Sequence, residues 1–366
     1  MGLYRFALIG CGRISKNHIA AAVFNREIME LAAVCDTVKE RAEQKAEDYF
    51  KETGTRPAVY TDYKEMLEKE EIDCCSVAAE SGYHAKIALY CISKGKNVLV
   101  EKPMALSTKD AEKMISEAKS KKVALGVCHQ NRFNPPVWQL HNAVLDGRFG
   151  KIVNGTARIL WNRTMPYYRQ APWRGTWAQD GGTLMNQCIH DIDLLQWNLG
   201  GRPDTVMAMT GNYLRDIEAE DFGAVVIRFK NGAIGIVEGS ACVYPKNLEE
   251  TLSIFGETGT AVIGGLAVNR IQTWNFKDSA PQDEEVKKLS GNDPKDVYGS
   301  GHNALYRNFI LSARAGRAPL VSGEEGIKGM KIILAAYKSQ KTGMPVKYDG
   351  LEFSSTDMSP SDVKVR

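Results

Sequence analysis

The strongest constraint on this chain is an alternation. Over roughly the first 125 residues, short buried-type apolar runs alternate with amphipathic helical stretches. The apolar runs cover residues 4–10, 31–35, 74–79, 97–101 and 124–128, with a shorter one ending at Tyr60. Between them, residues 14–24, 38–50, 63–69, 84–94 and 108–121 read as helices. Strands that are apolar on both faces need helices covering both faces of their sheet, so parallel βαβ units are expected. Right-handed crossovers then give a doubly wound α/β sheet.

The pattern changes after residues 147–150. Longer alternating strands are expected at 151–160, 205–214, 221–230, 233–243, 250–256 and 259–263, with Asn231-Gly232 as a hairpin turn. One helix at 183–199 interrupts them, and two more follow at 304–315 and 323–343. The expectation is an N-terminal cofactor-binding Rossmann domain over 1–128. A C-terminal α+β domain with a large, mostly antiparallel open sheet follows over 129–354. A polar tail over 355–366 is expected to fray.

Composition narrows the function class. The 366 residues include 47 Lys+Arg against 44 Asp+Glu, a formal net charge of +3. That gives no electrostatic case for nucleic acid. No apolar stretch approaches ~18 residues, so no membrane partner is expected. The N-terminal residues lack a signal-peptide pattern. The eight cysteines are scattered without a CxxC pair and read as buried thiols in a reducing cytoplasm. His and Cys show no tetrahedral ligand spacing, so no metal site is expected. His18, His141 and His302 form no constellation in the sequence.

Gly10-Cys11-Gly12-Arg13-Ile14-Ser15 follows the first strand and opens the first helix, the context of a dinucleotide-binding turn. Gly10 permits the turn, Gly12 lets the backbone approach a pyrophosphate, and the amides of the helix start face the phosphates. Ser15 replaces the third glycine. Asp36 closes the second strand, where an acidic group meets the adenosine ribose diol and repels a 2′-phosphate. The expected cofactor is therefore NAD.

Two further segments carry chemistry. Glu101-Lys102-Pro103 follows a parallel strand, at the edge where such sheets bind ligands. Gly181-Gly182 precede a helix on which Asn186 and His190, at i and i+4, share a face with Gln187 adjoining; Leu184, Cys188, Ile192 and Leu195 serve the core. Tyr167, Tyr168, Trp173 and Trp177 cluster with Arg163, Arg169 and Arg174, aromatic faces and guanidinium forks suited to a sugar, a uracil or an anion. A packed connection between domains or subunits explains that cluster equally well. Arg174 is the leading candidate for anion contact. Asn131 and Arg132 end a strand at the ligand edge.

These segments, together with Ser81-Gly82-Tyr83-His84, Asn131-Arg132-Phe133-Asn134-Pro135 and Ser339…Thr342-Gly343, resemble the Gfo/Idh/MocA family of NAD(P)-dependent oxidoreductases over nearly the whole chain. Residues 167–177, followed by the glycine pair and Met185-Asn186-Gln187…His190, are closest in style to UDP-N-acetylglucosaminuronate 3-dehydrogenases. The resemblance implies hydride transfer from a ring secondary alcohol of a sugar or sugar nucleotide to NAD, and a homodimer or homotetramer formed through the C-terminal sheet. Lys102, His190 and Asn186 are the implied catalytic residues. His190 serves as general base and Lys102 stabilises the developing alkoxide, or the two exchange the base role. Gly10, Gly12, Arg13, Ile14, Asp36, Ser81, His84, Glu101 and Lys102 are expected at the cofactor. Lys102, Arg132, Trp173, Arg174, Asn186, Gln187 and His190 are expected at the substrate. Two positions depart from the family. Asn186 stands where many members have Asp, and Ala79-Glu80 replaces Thr-Pro. A free polyol or hexose, of inositol or glucose type, is the alternative substrate. A non-catalytic NAD-binding regulator would keep the glycines and Asp36 and lack the Lys102/His190 pair, which this chain carries.

Overall fold

The computed structural model describes residues 2–265, 268–288 and 301–365. It divides into two compact units. The first comprises Met1–Ala105, Asp110–His129 and His302–Ile327; the second comprises Leu106–Lys109, Gln130–Gly301 and Lys328–Arg366.

In the first unit, β1 (Tyr4–Ile9), β2 (Met29–Cys35), β3 (Ala58–Tyr60), β4 (Cys74–Val77), β5 (Asn97–Val100) and β6 (Leu125–Val127) form one sheet in the order β3-β2-β1-β4-β5-β6. Every pairing is parallel. The connecting helices are α1 (Ser15–Phe24), α2 (Lys39–Thr53), α3 (Tyr63–Lys69), α4 (His84–Ser93) and α5 (Thr108–Lys121). The strand order reverses between β1 and β4, the switch point at which such sheets bind ligands. Phe6, Ala7, Cys74, Cys75, Val98 and Val100 are fully buried there, as expected for strands covered on both faces.

The second unit is built on an eight-stranded sheet. Its strands are β7 (Ile152–Leu160), β8 (Pro203–Gly211), β9 (Phe222–Phe229), β10 (Ile234–Ser240), β11 (Glu249–Gly256), β12 (Gly259–Gly264), β13 (Arg270–Phe276) and β14 (Val346–Lys347), ordered β13-β12-β11-β7-β10-β9-β8-β14. Only β7 and β10 pair in parallel; the other pairings are antiparallel. The edge strand β13 escapes the sequence reading because only Trp274 in it is buried, which leaves little alternation to see.

The helices here are α6 (Pro135–Leu145), α7 (Met165–Tyr168), α8 (Thr183–Asn186), α9 (Ile189–Asn198) and α10 (Asp283–Lys288), followed by α11 (Gly301–Arg314) and α12 (Gly323–Thr342). Pro135-Pro136 open α6, at positions whose amides have no intrahelical acceptor. The single helix expected over 183–199 is two helices. Cys188 N–H reaches back to Thr183 O at 3.0 Å, an i−5 bond that widens the ladder between them. Residues His302–Arg314 of α11 pack into the first unit, where Tyr306 and Phe309 meet Phe6.

The tail is folded, contrary to the expected fraying. Ser354 with Asp357, and Ser359 with Asp362, form two capping boxes, and Met358 and Val363 are buried. Polar composition concealed this because the two apolar anchors are isolated in the sequence. Among the described residues no helix is long and apolar enough to cross a membrane.

Candidate active site

The turn after β1 is shaped by close approach. Gly10 has φ +100°, and a Cβ there would lie 2.5 Å from the main chain of Ala78 and Ala79, beyond the end of β4. No L side chain fits this position. At Gly12 nothing stands within 4 Å of an added Cβ, so the turn is tight on the sheet side and open at Gly12. Ser15, fully buried, donates its hydroxyl proton to Gly12 O at 2.5 Å and so braces the turn. Asp36 accepts the Cys11 amide on Oδ2 and the Val38 amide on Oδ1, both at 2.8 Å. Each oxygen keeps a second lone pair for a hydroxyl. A cradle that admits only glycine at position 10, open space at Gly12 and a fixed carboxylate at the end of β2 together fit a dinucleotide with a free ribose diol. Arg13 and Ile14 immediately precede α1, with Ile14 as its N-cap.

At the end of β5 the Lys102 amide donates to Glu101 Oε2 at 3.2 Å. Glu101 is buried, and its Oε1 faces Nε2 of His18 at 3.1 Å and of His302 at 3.3 Å. Burial by itself would raise this carboxyl's pKa; the two imidazoles overcome it and hold the group well below the usual carboxylate range. His18 and His302, read from the sequence as belonging to no constellation, thus meet on one oxygen. Their separation along the chain hid this. The signal that remained was the i,i+4 spacing of His302 and Tyr306. Ser81 is buried at the turn after β4. His84 is buried with Nδ1 2.8 Å from Pro103 O and Nε2 2.9 Å from Ala79 O, so its ring ties the two ligand-edge loops together. Burial lowers its pKa against the pull of both carbonyls.

In the second unit the sheet is notched to receive α8 and α9. A Cβ at Gly155 would strike Ile254 and Leu195, at Gly223 Leu184, and at Gly239 Cys188 and Leu184, all at 3.1 Å or less. The fully buried Leu184, Cys188 and Leu195 fill these notches, and this seating sets the position of Asn186 and of the buried His190. The second glycine of the pair is explained by a carboxyl group. A Cβ at Gly182 would lie 1.7 Å from Glu220 Oε2. Glu220 Oε1 accepts the Leu184 amide at 2.9 Å and the Tyr337 hydroxyl at 3.1 Å. Burial pushes the Glu220 pKa up to about 8, although both donors oppose it. On α9, burial also raises Asp191, and burial together with the neighbouring Asp191 raises Glu250 of β11.

Several expected substrate residues do come together. Arg174 Nη1 donates to the Tyr167 hydroxyl at 2.7 Å, and its guanidinium lies 4.5 Å from the ring centres of both Tyr167 and Trp173. Gln187 Nε2 donates to the same hydroxyl at 3.2 Å and to Asn186 Oδ1 at 3.0 Å. Asn186 Nδ2 donates to Asp180, a partner the sequence reading missed although it directly precedes the glycine pair. Arg174 Nε is buried with no hydrogen-bond partner among the described residues. Arg132 is set apart from this group. It is fully buried and paired with Asp193 through Nε and Nη2, both at 2.7 Å, with Trp197 stacked on its guanidinium. Those two hydrogen bonds commit it to anchoring α9 rather than to a ligand.

Comparison with known proteins accords with this geometry. The oxidoreductase-family profile for the NAD-binding Rossmann fold matches residues 4–129, and that for the C-terminal alpha/beta domain matches residues 141–348. The chain belongs to the Gfo/Idh/MocA oxidoreductase family. Among solved structures it is similar to the WlbA dehydrogenase of Bordetella pertussis in complex with NADH and UDP-GlcNAcA, at 37% identity and TM-score 0.86, covering 94% of this chain and 97% of that one. The Chromobacterium violaceum WlbA complex with the same two ligands gives 36% identity and TM-score 0.85, over 94% and 96%. Among characterised relatives, the myo-inositol 2-dehydrogenase of Thermotoga maritima is 27% identical over 94% of this chain and 98% of its own length. This family member is an NAD-dependent sugar oxidoreductase with a Rossmann cofactor domain.

Two predictions follow from the charged groups. Asp36→Ala removes the ribose acceptor and raises the NAD dissociation constant at least about tenfold, read by quenching of protein fluorescence on titration. Glu220 has a folded pKa raised above its unfolded value, so the folded state holds the extra proton. Its stabilising contribution is complete below about pH 4.5 and is lost as pH rises through about 8. Urea midpoints of the wild type should therefore fall across that window, by at most about 1.4 kcal/mol per pH unit from this group, and Glu220→Gln should flatten the fall.

Proposed function

We propose that this enzyme oxidises the 3-hydroxyl of a UDP-linked N-acetylhexosaminuronate, UDP-GlcNAcA. The observation that carries this reading is the cluster of Tyr167, Trp173, Arg174 and Gln187 around a buried, unsatisfied guanidinium nitrogen. It occurs in a chain 37% identical to a dehydrogenase solved with that sugar nucleotide. An orphaned buried cation donor is costly unless an anionic ligand satisfies it. Both the carboxylate and the diphosphate of the sugar nucleotide offer such an anion. The inositol-type alternative rests on the 27% identity to the Thermotoga maritima enzyme, but a neutral polyol leaves Arg174 without a counter-ion.

NAD+, when bound, supplies the hydride acceptor. Gly10, Gly12, Arg13 and Ile14 hold its pyrophosphate at the α1 start, Asp36 holds the ribose, and Ser81, His84 and Glu101 shape the nicotinamide end. His190 removes the proton of the reacting hydroxyl as general base. Lys102 donates a hydrogen bond to the same oxygen and stabilises the negative charge that develops on it. Asn186, fixed by Asp180, orients the sugar and relays no proton. Trp173, Arg174 and Gln187 bind the remainder of the substrate.

We also assign a homodimer or homotetramer through the exposed face of the large sheet. Val153, Met209, Val226 and Ile236 are exposed there, with Val226 and Ile236 directly opposite each other. Such a face favours a self-complementary partner. The eight free thiols fit a reducing cytoplasm.

Absorbance at 340 nm, with NAD+ and a panel of UDP-sugars, inositols and hexoses, tests the reaction. Turnover of UDP-GlcNAcA is expected; turnover of inositol with no UDP-sugar accepted would overturn the substrate. Lys102→Met should lose more than about 10²-fold in kcat while still binding NAD. Sedimentation of Val226→Glu should show smaller species than the wild type, and an unchanged distribution would remove the sheet from the interface.

A further inference from the structure

The first unit contains a buried polar network that the catalytic reading does not use. It draws on four elements. His18 comes from α1, the helix that opens on the cofactor turn. Ser76 comes from β4, Glu101 from the end of β5, and His302 and Tyr306 from one face of α11. His18, Ser76, His302 and Tyr306 are each at most 2% exposed, and Glu101 is 5% exposed. The Tyr306 hydroxyl lies 2.7 Å from both His18 Nδ1 and Ser76 Oγ. Ser76 Oγ is 3.1 Å from the same ring nitrogen.

The hydrogen-bond pattern constrains where the protons sit. A carboxylate only accepts, so both Nε2 atoms facing Glu101 Oε1 carry hydrogen. Burial favours the neutral His18 ring, in which Nδ1 is the bare acceptor and takes a hydroxyl proton. His302 Nδ1 is buried without a hydrogen-bond partner among the described residues, which suits a bare nitrogen better than an N–H donor left unpaired. With two donors on Oε1, the carboxylate cannot rotate, and Oε2 is left for the Lys102 amide. Cys128 and His84 are the other titratable neighbours that sense Glu101, and neither replaces the pair of imidazoles.

We propose that His18 and His302 are positioning residues. Together they clamp Glu101 as an oriented, ionised carboxylate, which in turn fixes the main chain at Lys102. The network thereby couples the cofactor helix α1 to the lysine turn through a single oxygen atom. Neither histidine touches the substrate. The catalytic consequence rests on the assignment of Lys102 to the reacting oxygen; the clamp itself does not.

Two measurements on the full-length enzyme with NAD+ test this separately. Long-range 15N–1H spectra of histidine-labelled protein, assigned with His18→Gln and His302→Gln, need no substrate. Both rings should carry hydrogen on Nε2, the nitrogen that faces Glu101. A ring whose hydrogen sits on Nδ1 alone overturns the clamp. In turnover, His302→Leu should lower kcat about 10- to 100-fold, with the sugar KM and the NAD dissociation constant within about twofold. The acid limb of its pH profile should rise as Glu101 becomes easier to protonate. His302→Gln, which keeps an N–H at similar reach, should recover kcat to within about threefold. Equal losses in the Leu and Gln variants, or a Leu variant with wild-type kcat and acid limb, overturn the positioning role. A wild type that fails on UDP-GlcNAcA but oxidises another sugar faults the substrate reading alone, and the same variants are then compared on that sugar.

Discussion

The approach of Gly10 to the backbone of Ala78 and Ala79 is the constraint on which the cofactor half depends. At 2.5 Å from that main chain there is no room for a Cβ, and φ +100° already disfavours one. The contact lies where the strand order reverses, so it sets the first turn directly on the ligand edge of the sheet. Gly12, with open space beside it, then faces outward, and Asp36 is fixed by the Cys11 amide of the same turn. One steric requirement thus aligns a turn, a helix start and a carboxylate.

The second unit relies on a similar device with different chemistry. Its large sheet lacks side chains where Leu184, Cys188 and Leu195 press down, and this lets α8 and α9 sit low on the strands. Gly182 yields its space to the Glu220 carboxyl, which satisfies the Leu184 amide at the helix start and anchors Tyr337. Burying that carboxyl favours its protonated form. The widened turn between α8 and α9 is where Asn186, Gln187 and His190 emerge. Irregular helical backbone of this kind recurs at functional sites because it re-aims side chains that a regular ladder would lock.

Much of the site was legible because its signals are local. The glycine turn, the acidic residue after β2 and the lysine at the end of β5 each lie where a strand runs into a turn, and a strand followed by a helix supplies their context. Arg174, Trp173, Gln187 and Asn186 were legible as a composition of aromatic and forked side chains, and the structure joins them through the Tyr167 hydroxyl. Arg132 was misleading. Its place at a strand end suggested a ligand, but Asp193, sixty-one positions away, takes its guanidinium. The tail misled in the opposite direction, since two capping boxes order a segment whose polarity suggested fraying.

The sequence by itself determined the strand and helix alternation of the first unit, the Rossmann class and the NAD preference, and it supplied the candidates for moving a proton. Periodicity and turn chemistry act over short stretches, and those properties follow from them. Only the tertiary structure decided what holds these residues in place. His302 joins His18 at Glu101 because α11 folds back onto the first sheet, and Glu220 fills the gap beside Gly182 because β9 pairs with β8 and β10. These partners are set by packing between elements far apart in the chain, and no local pattern encodes such a distance.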